Sequence, residues 1–259
     1  MRHLDLSGRV IPCRTCRERL LSEMMTAFHT YVAEKFMTIL RRRFQETLGD
    51  TGKWALSVDP NDPNTVRFRY PSASVGNIDY IRPDILLELG THAELIPSGE
   101  YSITPFTAEQ FPNVFKHASC MVKAIKAHRT FWEKATAAHV YCRQARLRGE
   151  RYSRHWYDLA AMSKSGHAQT AIADRQLAQN VAQHKSMFFA EKDTDKNWIN
   201  YTTAVSGGIQ LVPQGAALES LAKDYFAMLE DGLLQSSSEI PFSEIMDTCA
   251  DLESAINSD

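Results

Sequence analysis

Two charged residues stand inside the apolar patterns of two successive predicted helices, and they constrain the fold of this chain more than any other feature. Over residues 128–162, apolar residues recur at three- and four-residue spacing on either side of an arginine-rich stretch. This pattern predicts two helices joined by a connection. Lys134 lies in the first helix and Asp158 in the second. Because a charge buried alone is costly, each must be paired, reach solvent or serve a function.

Spacing alone leaves two interpretations of these charges open. In the first, Lys134 lays its aliphatic stem along the surface, and Asp158 pairs with Arg154 one helical turn earlier. In the second, both charges belong to a functional site. The residue spacing favours the first interpretation.

The periodicity of the chain changes between residues 125 and 129. Residues 14–48 predict one long helix that Gly49 stops. Period-two alternation then predicts about five strands, and helical patterns dominate the rest. The predicted fold class is therefore α/β (α+β), with a sheet-containing region over 1–126 and a mainly helical region over 127–259. The sheet is expected to keep an open edge.

Carboxylates recur in the predicted strands and loops. Asp84 and Glu88 share one strand face in RPDILLELG, roughly 13 Å apart at about 3.3 Å per residue, so they cannot both bind one ion. Asp59 is explained by turn chemistry in DPNDPN. Asp193 and Asp195 form a D-x-D in a polar stretch that predicts an exposed loop. No glycine-serine strand turn precedes this pair, which argues against a catalytic role.

Arginines and aromatic residues alternate around the connection between the two central helices. The arginines are Arg143, Arg146, Arg148, Arg151 and Arg154, and the aromatic residues are Tyr141, Tyr152 and Trp156. Such a set can bind phosphates and stack a base. A solvated helix end, whose arginines complement the helix dipole, explains the same residues equally well.

Composition bounds the classes of function. The formal net charge of −2 excludes a generally basic nucleic-acid binder, so any such contact must come from a local patch. No apolar run is long enough for a membrane span and no signal peptide is visible, which predicts a cytoplasmic protein. Five cysteines, an odd number, indicate reduced thiols. Cys13 and Cys16 form a lone C-x-x-C without the second ligand pair that zinc needs.

Several of these stretches resemble the AbiEii/AbiGii family of nucleotidyl transferase toxins from type IV toxin–antitoxin systems. The motifs RTFWEKA and RHWYDL carry the resemblance. Further segments follow in the family's order: RPDILLELG, ITPFTAEQFPNVF, WINYTTAVSGGIQLVP, DYFAMLEDGLL and PFSEIMDTCADLESAIN. The resemblance runs from about Arg14 to about Asn257.

The resemblance implies a nucleotidyltransferase-like mixed sheet in region 1–126 and a bacterial, abortive-infection context. It implies transfer of a nucleotide from a nucleoside triphosphate to an RNA acceptor such as tRNA, with Mg²⁺ as cofactor and a cognate antitoxin as a partner. Lys134 would bind the triphosphate, and Asp158 would orient Lys134 or help position substrate. Glu88 would be the third catalytic carboxylate and a metal ligand. The residues expected to contact nucleic acid are Arg146, Arg148, Arg151 and Arg154.

The chain also departs from the family pattern. The family has a glycine-rich turn followed by a strand with two carboxylates, which hold Mg²⁺ and the triphosphate, and no segment here matches it. At the next family strand, Leu86 stands where many relatives have a lysine. We therefore expect an N-terminally incomplete sheet and impaired transfer. The alternative is a catalytically silent module that binds nucleic acid or another protein.

Overall fold

The computed structural model describes residues 3–4, 10–11, 14–71, 84–90, 94–115, 117–146, 151–234 and 239–258. Cys13 and Arg148, which the sequence analysis singled out, lie outside this part of the chain. The chain forms two compact units, Met1–Ala93 and Glu94–Asp259. The predicted division into regions 1–126 and 127–259 stays a prediction.

Ten helices and seven strands are described, together with three short helical segments of other types. The helices are α1 (Arg14–Tyr31), α2 (Met37–Leu48), α3 (Phe106–Gln110), α4 (Ala127–Gln144), α5 (Arg154–Lys164), α6 (His167–Ala173), α7 (Arg175–Phe188), α8 (Tyr201–Thr203), α9 (Ala216–Glu230) and α10 (Phe242–Asn257). The strands are β1 (His3–Leu4), β2 (Val10–Ile11), β3 (Ala55–Val58), β4 (Thr65–Arg69), β5 (Asp84–Glu88), β6 (Ser98–Ile103) and β7 (Cys120–Ile125). The other segments are π-helical at Val32–Phe36 and Ala204–Gly208, and 3₁₀ at Pro112–Val114.

The first unit contains the predicted long helix, which runs through α1, the π-helical segment Val32–Phe36 and α2. Gly49 ends it with a φ of 71° while its N–H still bonds the Gln45 carbonyl, a conformation that favours glycine. Strands β3, β4 and β5 form an antiparallel sheet in that order. Val32, Leu56 and Val66 are buried at the centre of the unit's apolar cluster. The helix therefore buries one stripe against the sheet, as its periodicity predicts.

The second unit combines the antiparallel hairpin β6–β7 with the remaining helices. Helix α4 packs against α5, α6 and α7, and α10 packs against α5. The buried face of α4 includes Phe131, Ala135 and Ala138, the positions that the helical spacing selects. After residue 130 the described residues contain only one isolated β-bridge, between Lys192 and Trp198.

The α/β fold class is thus confirmed, with strands in the first half and a mainly helical second half. All described strand pairs are antiparallel and fall into three small sheets. No helix in the described ranges has both the length and the apolar character that crossing a membrane requires.

Truncation of a buried leucine tests the packing of the second unit. Leu221 on α9 is completely buried, so Leu221→Ala should lower the free energy of unfolding by about 2–5 kcal/mol through lost contacts and a residual cavity. Leu233, which is 39% exposed, supplies the control: Leu233→Ala should cost about 0.5 kcal/mol or less. Urea unfolding followed by circular dichroism measures both, and equal losses would contradict this assignment of the core.

Candidate functional site

Buried aromatic residues fix the positions of α4 and α5. Trp132 donates its indole N–H to the Ala171 carbonyl at 2.9 Å, and Trp156 donates to the Leu211 carbonyl at 2.6 Å. Tyr141 donates its hydroxyl to the Ala217 carbonyl at 2.5 Å. These side chains bury large apolar areas while each polar atom keeps a partner. The helices that carry Lys134 and Asp158 are therefore held rigidly on the rest of the unit.

Lys134 and Asp158 form an ion pair between α4 and α5, with 2.5 Å between Nζ and Oδ2. Their side chains are 21% and 37% exposed, so the pair lies at the edge of the core and both groups reach solvent. The structure thus brings together the two charges that interrupt the helical patterns. Among the described residues, Asp158 forms an ion pair with Lys134 and none with Arg154. This corrects the interpretation that the residue spacing alone favoured.

His155 lies within the electrostatic reach of three cationic side chains. Burial, as the largest cause, and the positive charges of Lys134, Arg154 and Lys185 together lower the pKa of His155 to about 3. The imidazole therefore stays neutral at physiological pH. Its buried Nδ1 has no hydrogen-bond partner in the described part of the chain. The His155 side chain therefore adds no charge next to the Lys134–Asp158 pair.

A buried arginine, Arg129, lies five residues before Lys134 on the same helix. The Arg129 side chain is only 1% exposed and lies 2.9 Å from the Glu94 carboxylate. It also donates to Glu133 at 3.0 Å and to the Ile96 carbonyl at 2.8 Å. Burial lowers the pKa of Lys185, and Glu133 offsets part of this shift. Arg129, Glu133 and Lys185 therefore extend the charged network from α4 to α7.

Sequence reasoning missed Arg129 and Lys185. The i,i+4 spacing of Arg129 and Glu133 was the available signal for the first. Lys185 gives no local signal, because it lies in a helix with an ordinary amphipathic pattern. The burial that lowers the pKa of its ammonium is a property of the folded unit.

Asp224 on α9 holds the start of α5. Its carboxylate accepts hydrogen bonds from the backbone N–H groups of Arg151 at 2.7 Å and Ser153 at 2.8 Å. Arg151 has a φ of 64°, in the left-handed region that costs a non-glycine residue free energy. The Ser153 hydroxyl, directly before α5, makes no capping bond to the helix. The described end of the connection, residues 151–153, is therefore held by a side chain of α9.

The structure distributes the predicted nucleic-acid-binding arginines over different surroundings. Arg154 lies beside His155, and Arg143 pairs with Asp193 at 2.9 Å. Arg146 lines a groove with residues 190–198. Arg148 lies outside the described residues, so its position stays a prediction.

The D-x-D of residues 193–195 lies in a largely exposed loop, as predicted, although the Asp193 side chain is buried. Asp193 is 7% exposed and accepts backbone hydrogen bonds from Asp195 and Asn197, each at 3.0 Å. These bonds and Arg143 hold the pKa of Asp193 below its ordinary value, with the Arg143 hydrogen bond as the largest cause. Asp193 therefore serves to build a turn, in agreement with its rejection as a catalytic residue.

Glu88 ends strand β5 in the first unit, opposite Thr65 in β4, and it is exposed. At the other end of the strand, Asp84 pairs with Arg67 at 2.8 Å. Arg67 also pairs with Asp59 at 2.5 Å, while Asp59 accepts the N–H of Asn61. The structure thus gives Asp84 and Asp59 structural partners. The role of Glu88 stays a prediction.

An extended segment after the second π-helical segment is held by side chains from two helices, α4 and α10. His139 Nδ1 accepts the N–H of Gln210 at 3.0 Å. Glu253 accepts the N–H groups of Leu211 and Val212, at 2.6 and 3.2 Å. Because His139 is buried next to Arg143, its pKa falls to about 4, so its neutral form makes this bond. The Leu211 carbonyl in this segment accepts the hydrogen bond from the Trp156 indole, so the segment helps to hold α5 in place.

An α/β chain whose helical half joins a lysine and an aspartate across two helices is consistent with a nucleotidyltransferase-like protein. The family model for the nucleotidyl transferase AbiEii toxin of type IV toxin–antitoxin systems matches residues 4–248. The chain belongs to this family. No curated protein and no solved structure matches it.

His139 makes the stability of the second unit depend on pH. The unfolded histidine titrates near pH 6.5 and the folded one near 4, so the unfolded state binds the proton more readily. The contribution of His139 is therefore fully present above about pH 6.5 and is lost as the pH falls toward 4, up to about 3 kcal/mol. His139→Asn keeps an acceptor for Gln210 and should flatten this loss in urea unfolding at a series of pH values.

His167, an exposed histidine on α6, provides the matched control. His167→Asn should leave the pH dependence as in the parent chain. If the His139→Asn chain keeps the pH dependence of the parent chain, the buried neutral imidazole is not the cause of that dependence.

Proposed function

We propose that this toxin-family chain binds a nucleoside triphosphate at Lys134 and takes RNA, in particular tRNA, as its acceptor. The observation that carries the proposal is the ion pair of Lys134 and Asp158 beside Arg154 and Lys185. A lysine ammonium is a compact point charge that suits a phosphate group. Here its stem is packed on a rigid helix and its charged end reaches solvent.

The role of Asp158 follows from its contact with Nζ of Lys134. Its carboxylate fixes the direction of the lysine side chain, so less rotamer freedom is lost when an anion binds. Arg154 and Lys185 add positive potential, and the neutral His155 adds none of its own. Asp158 therefore acts as a positioning residue for Lys134. The negative charge of a bound triphosphate would balance the positive charges of Lys134, Arg154 and Lys185.

Magnesium is the cofactor that family membership implies, and the described residues do not fit it. No group of three or more His, Cys, Asp or Glu side chains within the described ranges could hold a metal ion. Two-metal phosphoryl transfer needs several carboxylate oxygens around the ions. Glu88 is exposed at a strand end, and Asp84 is bound by Arg67. Glu88 remains the predicted metal ligand, but it supplies too few donors by itself.

We propose on this basis that transfer is impaired. Without correctly held ions, the charge that develops on the attacking and leaving oxygens is left unstabilised. Triphosphate binding depends on Lys134 and its neighbouring cations, so it survives where transfer fails. A cognate antitoxin is the protein partner that membership of a toxin family suggests, and the bacterial cytoplasm is the proposed location.

Removing the Lys134 charge should weaken nucleotide binding. Lys134→Gln should raise the Kd for a nucleoside triphosphate by about tenfold, since a hydrogen bond to a charged group contributes about 1.5–3 kcal/mol. Lys164 pairs with Glu244 at 2.7 Å on the same unit, so Lys164→Gln breaks a comparable surface pair and should leave the Kd unchanged. Isothermal titration calorimetry measures both. Equal affinity in the Lys134→Gln chain would exclude Lys134 as the triphosphate ligand.

The 259-residue chain should incorporate labelled nucleotide into total tRNA no faster than a blank reaction, with or without Mg²⁺. The reason is that the described residues contain no cluster of carboxylates that could hold the Mg²⁺ ions. Robust Mg²⁺-dependent incorporation would instead mean that Glu88 completes a metal centre with further carboxylates. Absence of both incorporation and triphosphate binding would favour a silent binding module.

A further inference from the structure

A polar groove of about 530 Å³ lies where the end of α4 meets the loop of residues 190–198. Its basic and aromatic lining comprises Arg146, Lys192, Lys196 and Trp198. A volume of this size is within the range of small-ligand sites. No role assigned to Lys134, Asp158 or Glu88 uses this groove.

Trp198 presents an aromatic surface in the groove. It is 53% exposed, although a large apolar side chain gains free energy by burial. The ammonium of Lys192 lies 4.8 Å from the centroid of its ring. A cation next to an accessible indole is the combination that binds a base and its phosphate together, because the ring stacks on the base and the cation attracts the phosphate.

The charge of the groove favours an anion. Three cations, Arg146, Lys192 and Lys196, face two carboxylates, Glu191 and Asp193. Arg143 pairs with Asp193 and neutralises one of these carboxylates. In the described part of the chain, no ion pair joins Arg146 or Lys196 to a carboxylate. Positive charge therefore remains for a phosphate backbone, although the chain as a whole carries a net charge of −2.

The loop is held in place before any ligand binds. Gln144 donates to the Lys192 carbonyl at 2.7 Å, and the Thr194 N–H bonds the Arg143 carbonyl at 3.2 Å. Lys196 has a φ of 67°, where glycine or asparagine would cost less free energy. The turn thus keeps a lysine at a position that local conformation disfavours. Such preorganisation lowers the entropy lost on binding.

We propose that this groove binds unpaired nucleotides of an RNA, with a base stacked on Trp198 and phosphates on Lys196 and Arg146. Unpaired bases are required because a base within a duplex has no free face for the indole. The inference rests on the proposed function, since it locates part of the RNA acceptor. Gln144 lies about 15 Å beyond Lys134 along the axis of α4, so an RNA held here would continue along the unit that carries Lys134.

The test uses the full chain and a labelled, unstructured single-stranded RNA oligonucleotide, with fluorescence anisotropy measured at several salt concentrations. Trp198→Leu should weaken binding about tenfold or more, whereas Trp198→Phe, which keeps a stacking ring, should restore most of the affinity. Lys196→Gln should flatten the dependence of log affinity on log salt by about 0.7, the value for one phosphate contact on a single strand. Lys223→Gln, at an exposed lysine on α9, is the control and should change neither quantity.

Intrinsic fluorescence gives a second readout. The chain has four tryptophans, of which Trp132 and Trp156 are buried. Quenching by the RNA should therefore diminish in Trp198→Phe and persist in Trp54→Phe, which alters a tryptophan of the first unit. Unchanged quenching in Trp198→Phe would overturn stacking on Trp198.

The remaining outcomes separate the groove from the proposed function. If the parent chain binds RNA and neither Trp198→Leu nor Lys196→Gln alters the affinity or its salt dependence, RNA does not bind in the groove, and the proposed RNA acceptor is not contradicted. If the parent chain binds no RNA at low salt, the groove as an RNA site and the RNA acceptor are both contradicted. If a polyglutamate peptide binds in a Trp198-dependent manner and RNA does not, the groove is a protein-binding site, and the proposal is overturned.

Discussion

The burial of charge along α4 is the constraint on which the second unit depends. Arg129 is almost fully buried, and an unpaired charge there would cost several kcal/mol. Glu94 and Glu133 compensate its charge, and the Ile96 carbonyl accepts one further donor. The segment before β6 is thereby tied to α4. Removing one partner would leave a buried charge uncompensated, which is more damaging than the loss of an exposed pair.

The same helix passes from this closed network to an open one within a few residues. Arg129 has its partners inside the unit, whereas Lys134 keeps Asp158 on one side and solvent on the other. A buried arginine with two carboxylate partners is suited to a structural role. An accessible lysine of fixed direction is suited to binding an anion. The half-buried His155 stays neutral, because a further positive charge there would repel Lys134, Arg154 and Lys185.

Rigid support is shared by the two sites proposed here. The extended segment under α5 is held by Glu253 and His139, and the start of α5 is held by Asp224. The loop that carries Lys196 and Trp198 is held by Gln144, Arg143 and Asp193. Most of these contacts are hydrogen bonds between a backbone group and a side chain that is distant in the sequence. Such bonds place functional residues on loops without leaving backbone polar groups unsatisfied.

Local pattern determined much of the architecture. Helical periodicity specified the helix of residues 14–48 and the buried face of α4, because burial of one stripe repeats every three or four residues whatever the rest of the fold does. Alternation located β3, β4 and β5, and turn chemistry explained Asp59. The motifs around Lys134 and Asp158 identified the family and two residues that the structure brings together. The roles of these two residues and of Glu88 remain predictions.

Only the tertiary structure decided which charges are paired and which are accessible. In the folded chain, Asp158 pairs with Lys134 of another helix instead of the neighbouring Arg154. Arg129 is buried, and Arg143 pairs with Asp193. The tertiary structure also brought Arg146 into one groove with Lys196 and Trp198, which lie on a loop far along the chain. The energy of a charge depends on burial and on neighbours from other elements, and neither quantity is encoded in the spacing of nearby residues.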